Sequence, residues 1–395
     1  MSNKKKEIIQ VKPKNYLSIL QVIKENFPYI KEDFYKYENL DDGYYHILND
    51  LIKYPLAWCY MVWSKRGPGK TYSALWLFYY TKTPFIYMKR TDKDVHLVLS
   101  DQKDINFDPS PYAPLKRDKN IRVVGVEIDA GIGAFYIADN EGQPTEQLLC
   151  YVLSFNKVQK YKGFDFSSAE AIVFDEFIPQ KGERCLKSEG ENLLDLYMTV
   201  RRDRAKRGRK SLKLIMFANA EEIAVPVTRE LETLDQMAYL NSCTKTHYYI
   251  EERRIMLHHI TNDEVPIKDS EMDDIYIGMK GTAWFNKAFN GLFTHNDFTN
   301  IQNKSLKRSK PILEIHHRTS TYYIYLNEDK GFYYMSTNPA KCRQFFDLNR
   351  ENEQKRFFYE WYLDLRQACI EERFKFEKYS MYDLIINYKK YFDVN

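Results

Sequence analysis

A glycine-rich segment, SKRGPGKT at residues 64–71, carries the side chains and backbone that could bind a chain of phosphates. In such a loop backbone amides surround phosphate oxygens, a lysine reaches the terminal phosphates and a hydroxyl holds magnesium. Pro68 has no N–H group, so it occupies a position where that donor is expendable. The apolar run at 57–63 precedes the segment and a helix-like stretch follows it, which is the strand, loop and helix order that this kind of site requires.

The loop therefore predicts a site for ATP and Mg²⁺. Its binding positions are consecutive: Ser64, Lys65, Arg66, Gly67, Pro68, Gly69, Lys70 and Thr71. We expect Lys70 to contact the phosphates and Thr71 to hold the metal ion. Ser64 stands where the full pattern has glycine, so only the GKT end matches completely. The alternative is an ordinary surface turn, and the strand and helix on either side favour the nucleotide site.

Two adjacent carboxylates end a second apolar run. Ala171 to Phe174 reads as a buried strand, and Asp175 and Glu176 follow it directly. Strands of an open parallel sheet present their carboxyl ends to ligands, so this pair is expected at the same edge as the glycine-rich loop. Asp175 would support the magnesium ion, and Glu176 would polarise a water molecule for attack on the terminal phosphate. Alone, the pattern could also be a strand followed by an acidic turn.

A third apolar run, Leu212 to Ala218, ends in Asn219. The run resembles another buried parallel strand. An amide at its tip could sense the terminal phosphate or the attacking water, although asparagine is also common where strands stop. The order of the three features along the chain gives Asn219 its weight as a candidate.

The densest positive charge lies at 201–213, where the sequence RRDRAKRGRKSLK holds eight lysines or arginines and one acid. Such a run is usually a solvated face or a phosphate-contacting loop. Here it follows a predicted amphipathic helix at 192–200, so it begins at a defined structural position. An arginine at that place could project from one subunit to the nucleotide of the next and stabilise charge in the transition state.

Five segments together resemble the genome-encapsidation ATPases of small tailed phages, the phi-29 group. They are RGPGKT (66–71), FIYMKR (85–90), IVFDEFIP (172–179), LLDLYMTVRRDR (193–204) and MFANA (216–220). Their order and approximate spacing match across residues 50–225, and the resemblance thins beyond residue 225. The acidic strand with its leucine-rich helix and arginine pair is the most specific part.

The resemblance implies roles for individual residues. Lys70 and Thr71 become the phosphate and magnesium residues, Asp175 supports the metal and Glu176 is the catalytic base. Asn219 matches the asparagine of the strand after the basic loop. Arg202 matches the arginine that acts on a neighbouring subunit.

The resemblance leaves some assignments open. Arg201 and Arg204 remain rivals of Arg202 for the role in trans. The pair Lys89 and Arg90 matches a basic pair on the second strand of the family. Together with Lys93, which lies just beyond them, they are the candidates for contact with DNA.

As a function, the resemblance implies ATP-driven translocation of double-stranded viral DNA into a preformed capsid. The expected assembly is a homo-oligomeric ring, a pentamer in this group, which docks on the capsid portal protein in the cytoplasm of the infected bacterial host. In relatives a structural packaging RNA links motor and portal, and the sequence leaves that partner open. Two alternatives also stay open. One is another P-loop DNA enzyme, either a helicase or a terminase with an active nuclease, and the other is a non-enzymatic nucleotide-binding assembly protein.

The predicted fold class is α/β: a P-loop NTPase of the additional-strand catalytic glutamate type with a parallel sheet, followed by a smaller α+β domain. Expected boundaries are 1–225 for helical lead-in and ATPase domain, 226–255 for a linker and 256–395 for the second domain. Residues 100–150 suggest a β excursion. In relatives the second domain resembles an RNase H-like nuclease.

A nuclease of that kind needs clustered acidic residues at strand ends to hold two metal ions. The first two predicted strands of the second domain, at 311–315 and 321–326, lack an internal aspartate, and Glu314, Asp329 and Asp347 are scattered over turns and ends. The sequence therefore favours a vestigial nuclease fold that grips DNA or a partner.

Composition agrees with these expectations. The 395 residues carry a net charge of only +4, so contact with nucleic acid must come from local basic patches. Six cysteines are scattered without a CxxC pair, which is typical of a reducing compartment without a zinc site. The adjacent pairs His258–His259 and His316–His317 would point to opposite faces of a strand and cannot easily chelate one ion. No apolar run is long enough for a membrane span.

Overall fold

The structure is a computed structural model that describes residues 21, 23–30, 42–100, 107–180, 182–183, 185–268, 272–294 and 296–394. Packing divides the chain into two compact units. The first comprises Met1–Phe177, Leu194–Asn219 and His247–Asp273. The second comprises Ile178–Leu193, Ala220–Thr246 and Asp274–Asn395.

In the first unit, the described residues form one nine-stranded sheet. Its strands are β1 (Cys59–Ser64), β2 (Phe85–Lys89), β3 (Val123–Asp129), β4 (Ile132–Ala138), β5 (Pro144–Ser154), β6 (Ala171–Asp175), β7 (Lys213–Asn219), β8 (His247–Ile250) and β9 (Ile255–His259). Their order across the sheet is β3-β4-β5-β2-β6-β7-β1-β9-β8.

The six central strands, from β5 to β9 in that order, pair in parallel. Every residue of β1 is buried, as are the first four of β6. Burial on both faces explains why these strands read as continuous apolar runs without polar alternation. The prediction of an α/β fold with a parallel-rich sheet is confirmed, and so are the predicted strands that end at Asp175 and Asn219.

Helices connect these strands. They are α1 (Ile47–Lys53), α2 (Lys70–Thr81), α3 (Asp92–Leu99), α4 (Ala113–Lys119) and α5 (Glu189–Val200). Helix α2 begins after Gly69 and ends at Lys82, which has a φ of 50°. A capping box of Thr91 and Asp94 starts α3, so two of the first unpaired N–H groups find acceptors there.

The predicted β excursion at 100–150 extends the same sheet. Strands β3, β4 and β5 form an antiparallel meander, and β5 continues in parallel with β2. Gly133 allows α3 to pack against it, because a Cβ atom there would collide with the Leu99 side chain and the Val126 carbonyl. The excursion is therefore part of the main sheet, and its register brings β5 beside β2.

The second unit contains a five-stranded sheet among its described residues. Its strands are β10 (Lys310–His317), β11 (Ser320–Asn327), β12 (Phe332–Ser336), β13 (Gln344–Asp347) and β14 (Phe374–Phe376). The order is β13-β10-β11-β12-β14, with the central three strands antiparallel and the outer two added in parallel. The predicted strands at 311–315 and 321–326 are confirmed as β10 and β11, which pair antiparallel.

The helices of the second unit lie before and after residues 247–273, which belong to the first unit. They are α6 (Pro226–Glu230), α7 (Leu234–Ser242), α8 (Asp274–Met279), α9 (Ala283–Asn290), α10 (Glu351–Phe357), α11 (Leu363–Ile370), α12 (Tyr379–Ile386) and α13 (Tyr388–Tyr391). A π-helical turn, Phe358–Tyr362, joins α10 to α11. No helix in the described ranges is long and apolar enough to cross a membrane.

The observed division differs from the expected boundaries at 225 and 256. The segment 226–255, expected to be a linker, contains α6, α7 and β8. Strand β9 pairs with β1, so residues 247–273 belong to the first unit and not to the second. All residues of β9 are buried, so it reads as one more apolar run. The order of segments along the chain does not show that this run pairs with β1 in the first unit. Of the expected helical lead-in at 1–50, residues 1–20, 22 and 31–41 lie outside the described residues.

A buried ion pair lies within the second unit. The Arg229 Nε and Nη2 atoms donate to the two carboxylate oxygens of Asp383 at 2.8 and 3.0 Å, and Asp383 is fully buried. Asn387 and Tyr391 also donate to that carboxylate. The pair joins α6 to α12, and each charge depends on the other for compensation.

We predict that Asp383→Asn lowers the free energy of unfolding by about 3 kcal/mol, because the buried Arg229 charge loses its partner. Arg350→Ala is the control, since Arg350 is mostly exposed where it pairs with Asp347 and should change stability by less than about 0.5 kcal/mol. Urea unfolding followed by circular dichroism measures both. Equal effects of the two substitutions would show that the buried pair has no special weight.

Candidate functional site

The candidate site lies at the carboxyl ends of four adjacent strands of the first unit. Strands β2, β6, β7 and β1 are neighbours and run in parallel, so their last residues reach the same edge of the sheet. These last residues are Lys89, Asp175, Asn219 and Ser64. The sheet thus brings together positions that are far apart in sequence.

The glycine-rich loop between β1 and α2 has the backbone shape that its sequence predicts. Gly67 and Gly69 have φ values of 90° and 96°, which other residues rarely adopt. The N–H group of Ser73 donates to the Gly69 carbonyl at 2.9 Å, so the helix begins directly after the loop. The N–H groups of the first helical turn consequently face the loop, as in an anion-binding helix terminus.

Lys70 is the buried cation of the site. Its Nζ atom donates to Ser64 Oγ, to the Lys65 carbonyl at 3.1 Å and to Asn219 Oδ1 at 3.4 Å. Ser64, the position that departs from the glycine pattern, thus supplies an acceptor for the lysine. Burial lowers the pKa of Lys70 to about 8, although the nearby carboxylates of Asp175 and Glu176 favour its charged form.

Asp175 is held by two hydroxyl groups from neighbouring elements. Thr71 Oγ1 donates to Asp175 Oδ1 at 3.0 Å, and the Tyr87 hydroxyl donates to Asp175 Oδ2 at 2.8 Å. Tyr87 lies on β2, beside β6. A carboxylate and a hydroxyl are hard oxygen donors of the kind that Mg²⁺ prefers, so Thr71 and Asp175 fit the metal site expected from the sequence.

Lys89, which the sequence places among the candidates for DNA contact, is directed into this site instead. Its Nζ atom lies 3.4 Å from Asp175 Oδ2 and 3.4 Å from Glu176 Oε2. Burial opposes its charge, but the two carboxylates outweigh burial and raise the pKa of Lys89. Tyr87 and Lys89 are two residues apart on β2, so they lie on the same face and both reach Asp175.

Glu176 leaves the line of its strand. Its φ of 59° is in the left-handed region, where a residue with a Cβ atom costs about 1–3 kcal/mol and is often found at functional sites. The Glu176 carboxylate shares the Lys89 amine with Asp175, but the Glu176 side chain is 38% exposed and the Asp175 side chain only 15%. The two acids therefore occupy different environments, as their expected roles require.

These residues enclose a pocket of about 300 Å³. It is lined by Arg66, Gly67, Pro68, Gly69, Lys70, Thr71, Tyr72, Asp175, Glu176, Ala218 and Asn219. The structure thus brings together most of the site residues predicted from the sequence. Ser64 and Lys65 do not line the pocket: Ser64 accepts a hydrogen bond from Lys70, and Lys65 is buried.

The three candidate arginines lie in different settings. Arg204 is buried and donates to the carbonyls of Ala169 and Lys210 at 2.6 and 2.9 Å, and it also pairs with Glu170. This role as an internal brace removes Arg204 from the candidates for action in trans. Arg202 is exposed and does not line the pocket that holds Lys70 and Asp175.

Arg201 is exposed as well, and its Nη1 atom lies 3.5 Å from Met198 Sδ. Arg202 lines a separate cavity of about 250 Å³ together with Asp165 and Arg207. Both arginines therefore present their side chains on the surface of the first unit.

The remaining DNA candidates also differ. Arg90 is only 5% exposed and donates from Nη1 to the Phe177 carbonyl at 3.1 Å, so it is not available to a large external ligand. Lys93 lies in the first turn of α3 and is exposed. Of the three expected residues, Lys93 alone presents its side chain to solvent, and the tertiary contacts that bury the other two cannot be read from the sequence.

Comparison with known proteins supports the fold. No protein-family model matches the sequence, and no curated protein matches it. Among solved structures, a chain of the bacteriophage Phi-29 viral genome packaging motor assembly is 17% identical, with a TM-score of 0.55 over 89% of this chain and 100% of the other. A chain of the Phi-28 gp11 DNA packaging motor is 16% identical, with a TM-score of 0.52 over 86% and 95%. The resemblance inferred from sequence motifs is thereby confirmed at the level of fold: the chain shares its fold with chains of the phi-28 and phi-29 packaging motors.

Proposed function

We propose that this protein is a P-loop ATPase that drives double-stranded viral DNA into a preformed capsid as part of a homo-oligomeric ring. The observation that carries the proposal is the edge of the first sheet, where Lys70, Thr71, Asp175 and Glu176 surround one pocket behind a glycine-rich loop. The fold shared with packaging-motor chains supports a role in DNA packaging, and the chemistry of the site supports ATP hydrolysis.

Each residue of the pocket has a separate role in this proposal. Lys70 binds the terminal phosphates, and the loop amides bind the remaining oxygens. Thr71 and Asp175 hold Mg²⁺, which when bound neutralises charge on the β- and γ-phosphates. Tyr87 and Lys89 orient the Asp175 carboxylate through the contacts described above.

Water activation falls to Glu176, whose side chain lines the pocket and is more exposed than that of Asp175. As a general base it accepts a proton from the water that attacks the γ-phosphate. Asn219 lies 3.4 Å from the Lys70 amine and can accept from or donate to the terminal phosphate region. A glutamate one residue beyond the metal-supporting aspartate supports the proposal that the domain is of the additional-strand catalytic glutamate type.

Arg202 is proposed to complete the pocket of a neighbouring subunit. It is exposed and lies outside the pocket of its own chain, which is what an arginine acting in trans requires. Arg201 remains its rival, because it is exposed in the same turn. In this arrangement each active site is formed by residues of two neighbouring subunits, so hydrolysis depends on assembly of the ring. A pentamer is proposed from the resemblance alone.

Contact with DNA is proposed to use exposed basic residues and the phosphate backbone. Lys93 is the surviving candidate, and the basic run at 201–213 offers further exposed lysines and arginines. A motor that moves along any genome cannot depend on the identity of the bases. The capsid portal, with or without a structural RNA, is the proposed docking partner in the host cytoplasm.

The second unit is proposed to have a vestigial RNase H-like fold. Four of its five strands, in the order β12-β11-β10-β13 with three antiparallel and the fourth parallel beside β10, are arranged as in such sheets, and β14 is added beside β12. Glu314 contacts His316, and Asp347 contacts Arg350. Within the described part of this unit, no group of three acidic, histidine or cysteine side chains has metal-binding spacing. The proposal therefore assigns this unit to gripping DNA or a partner, without nuclease activity.

Two other functions can be separated by assay. A helicase or a cutting terminase would unwind duplex DNA or cleave plasmid DNA in the presence of metal. An assembly protein would bind ATP without turnover. ATP turnover by the full-length chain, measured with and without duplex DNA and beside a plasmid cleavage assay, distinguishes all three.

We predict that Glu176→Gln binds ATP normally but lowers kcat by at least about 100-fold, because the amide keeps the shape and loses the basicity. Lys70→Ala should weaken ATP binding itself. Glu127 pairs with His96 and does not line the pocket, so Glu127→Gln is the matched control. It should leave kcat and the Kd for ATP unchanged. Near-normal turnover in Glu176→Gln would remove this residue from the role of base.

We predict that duplex DNA binding falls steeply with salt concentration and varies little with sequence, because phosphates carry the contact. Fluorescence anisotropy with unrelated duplexes of equal length measures both dependences. Lys93→Ala should weaken binding to every duplex by a similar factor. A strong preference for one short sequence at physiological salt would contradict translocation and favour site-specific recognition.

We predict that Arg202→Ala retains ATP binding but loses turnover, since such an arginine acts on charge that develops in the transition state. Mixing this variant with Glu176→Gln should restore part of the activity, because some interfaces then pair an intact Glu176 with an intact Arg202. Arg350→Ala, on the second unit, is the control. Absence of recovery, together with full specific activity of diluted monomer, would exclude the role in trans.

A further inference from the structure

A buried polar cluster lies in the first unit, outside the proposed nucleotide pocket. We call it the histidine–carboxylate cluster; it consists of Asp50 on α1, His247 on β8, His258 on β9 and Glu264 in the segment after β9. The side chains of Asp50 and His258 are 2% and 6% exposed. Buried charges of this kind are costly unless they are paired, so the arrangement needs a physical explanation.

The two imidazole rings stack between the two carboxylates. Their centroids are 3.8 Å apart and their planes differ by 25°. On one side, His247 Nε2 and His258 Nδ1 lie 3.1 and 2.8 Å from the two oxygens of Asp50. On the other side, His258 Nε2 lies 2.8 Å from Glu264 Oε2.

This geometry favours a proton on both nitrogens of His258. A neutral imidazole has one N–H donor and one lone pair, and here both nitrogens face carboxylate oxygens at hydrogen-bonding distance. With one proton removed, a lone pair would face a carboxylate in a buried space. Burial alone disfavours the charged ring, but Asp50 and Glu264 outweigh burial and raise the pKa of His258 to about 9.

Tyr45 connects the cluster to the glycine-rich loop. Its hydroxyl donates to Asp50 Oδ2 at 2.8 Å, and its ring packs edge-on against the His258 ring at 5.5 Å. Its backbone N–H group donates to the Pro68 carbonyl at 2.9 Å. Tyr45 is almost fully buried, so this one residue spans from the charged cluster to the loop.

We propose that Asp50 and His258 are positioning residues that hold Tyr45, and through it the glycine-rich loop, in the conformation that binds nucleotide, and that they do so only while His258 carries its second proton. This inference rests on the proposed nucleotide-binding function of the loop. It adds that the protonation state of His258, which is not part of the pocket lining, controls the affinity for nucleotide through Tyr45.

The direction of the pH effect follows from the raised pKa. The stabilising contribution of His258 is complete below its unfolded value of 6.5 and is lost as the pH rises through about 9. The groups that face this ring are Tyr45, Asp50, His247 and Glu264. The pKa of Tyr45 is raised well above its usual value by burial and by Asp50, so its hydroxyl keeps its proton across this range.

A proton explains the cluster better than a metal ion does. One ligand atom from each of Asp50, His247 and His258 lies within 4.8 Å of the others, which is close enough to consider a shared cation. However, an imidazole binds a metal along the lone pair in its ring plane, and a single ion cannot lie in the planes of two rings that stack nearly in parallel. The Asp50 and Glu264 carboxylates lie at hydrogen-bonding distance from ring nitrogens, where they can accept from imidazole N–H groups.

The test compares the affinity of the full-length chain for a fluorescent ATP analogue between pH 6.5 and 9.5. His258→Gln and Tyr45→Phe should each weaken binding by about tenfold at pH 6.5 and should match the wild type at pH 9.5. Lys70 also titrates in this range, but its contribution cancels in the ratio of variant to wild type. His96→Gln, an exposed histidine that also pairs with a carboxylate, is the control and should give a ratio near one throughout.

NMR spectra of the imidazole nitrogens test the proton assignment without nucleotide. The wild type and Tyr45→Phe should both show a doubly protonated His258 up to about pH 9. A variant-to-wild-type ratio that does not change with pH would overturn the proposal, as would a neutral His258 at pH 7 or zinc binding that is lost in His258→Gln. If no form binds the analogue at any pH, the proposed nucleotide site fails, whereas the spectra still decide the state of His258.

Discussion

The candidate site depends on one constraint, the parallel pairing of β2, β6, β7 and β1 in adjacent positions. Parallel strands end at a common edge, so the pairing brings the amine of Lys89, the carboxylate of Asp175, the amide of Asn219 and the hydroxyl of Ser64 to one edge of the sheet. The order of strands matters as much as their direction. If β2 were not the neighbour of β6, Tyr87 and Lys89 could not reach Asp175, and that carboxylate would lose two of its three partners described here.

The site is also a compromise between burial and charge. Burial lowers the pKa of Lys70, whereas beside Lys89 two carboxylates outweigh burial and raise the pKa of that lysine. A phosphate chain would add the negative charge that Lys70 lacks, so binding and protonation of this lysine are expected to reinforce each other. The Glu176 carboxylate also acts on this site, since it lies 3.4 Å from the Lys89 amine that Asp175 contacts.

Much of this could be predicted from the sequence, because buried parallel strands are continuous apolar runs and their polar end residues are easy to recognise. The loop, Asp175, Glu176 and Asn219 were placed in that way. Lys89, Arg90 and Arg204 could not be placed, since only the register between strands shows which basic side chains are buried against carbonyls or acids. The return of β9 to the first sheet, and with it the cluster around His258, likewise depends on contacts between residues about two hundred positions apart.

The central claim is that this sheet edge binds the magnesium complex of ATP. The most direct measurement is an experimental structure of the full-length chain with Mg²⁺ and a non-hydrolysable ATP analogue. The account predicts the γ-phosphate beside the Lys70 amine, the metal ion between Thr71 and Asp175, and a water molecule near Glu176 in line with the γ-phosphate. Nucleotide bound elsewhere on the chain, or a metal ion ligated without Thr71 and Asp175, would contradict it.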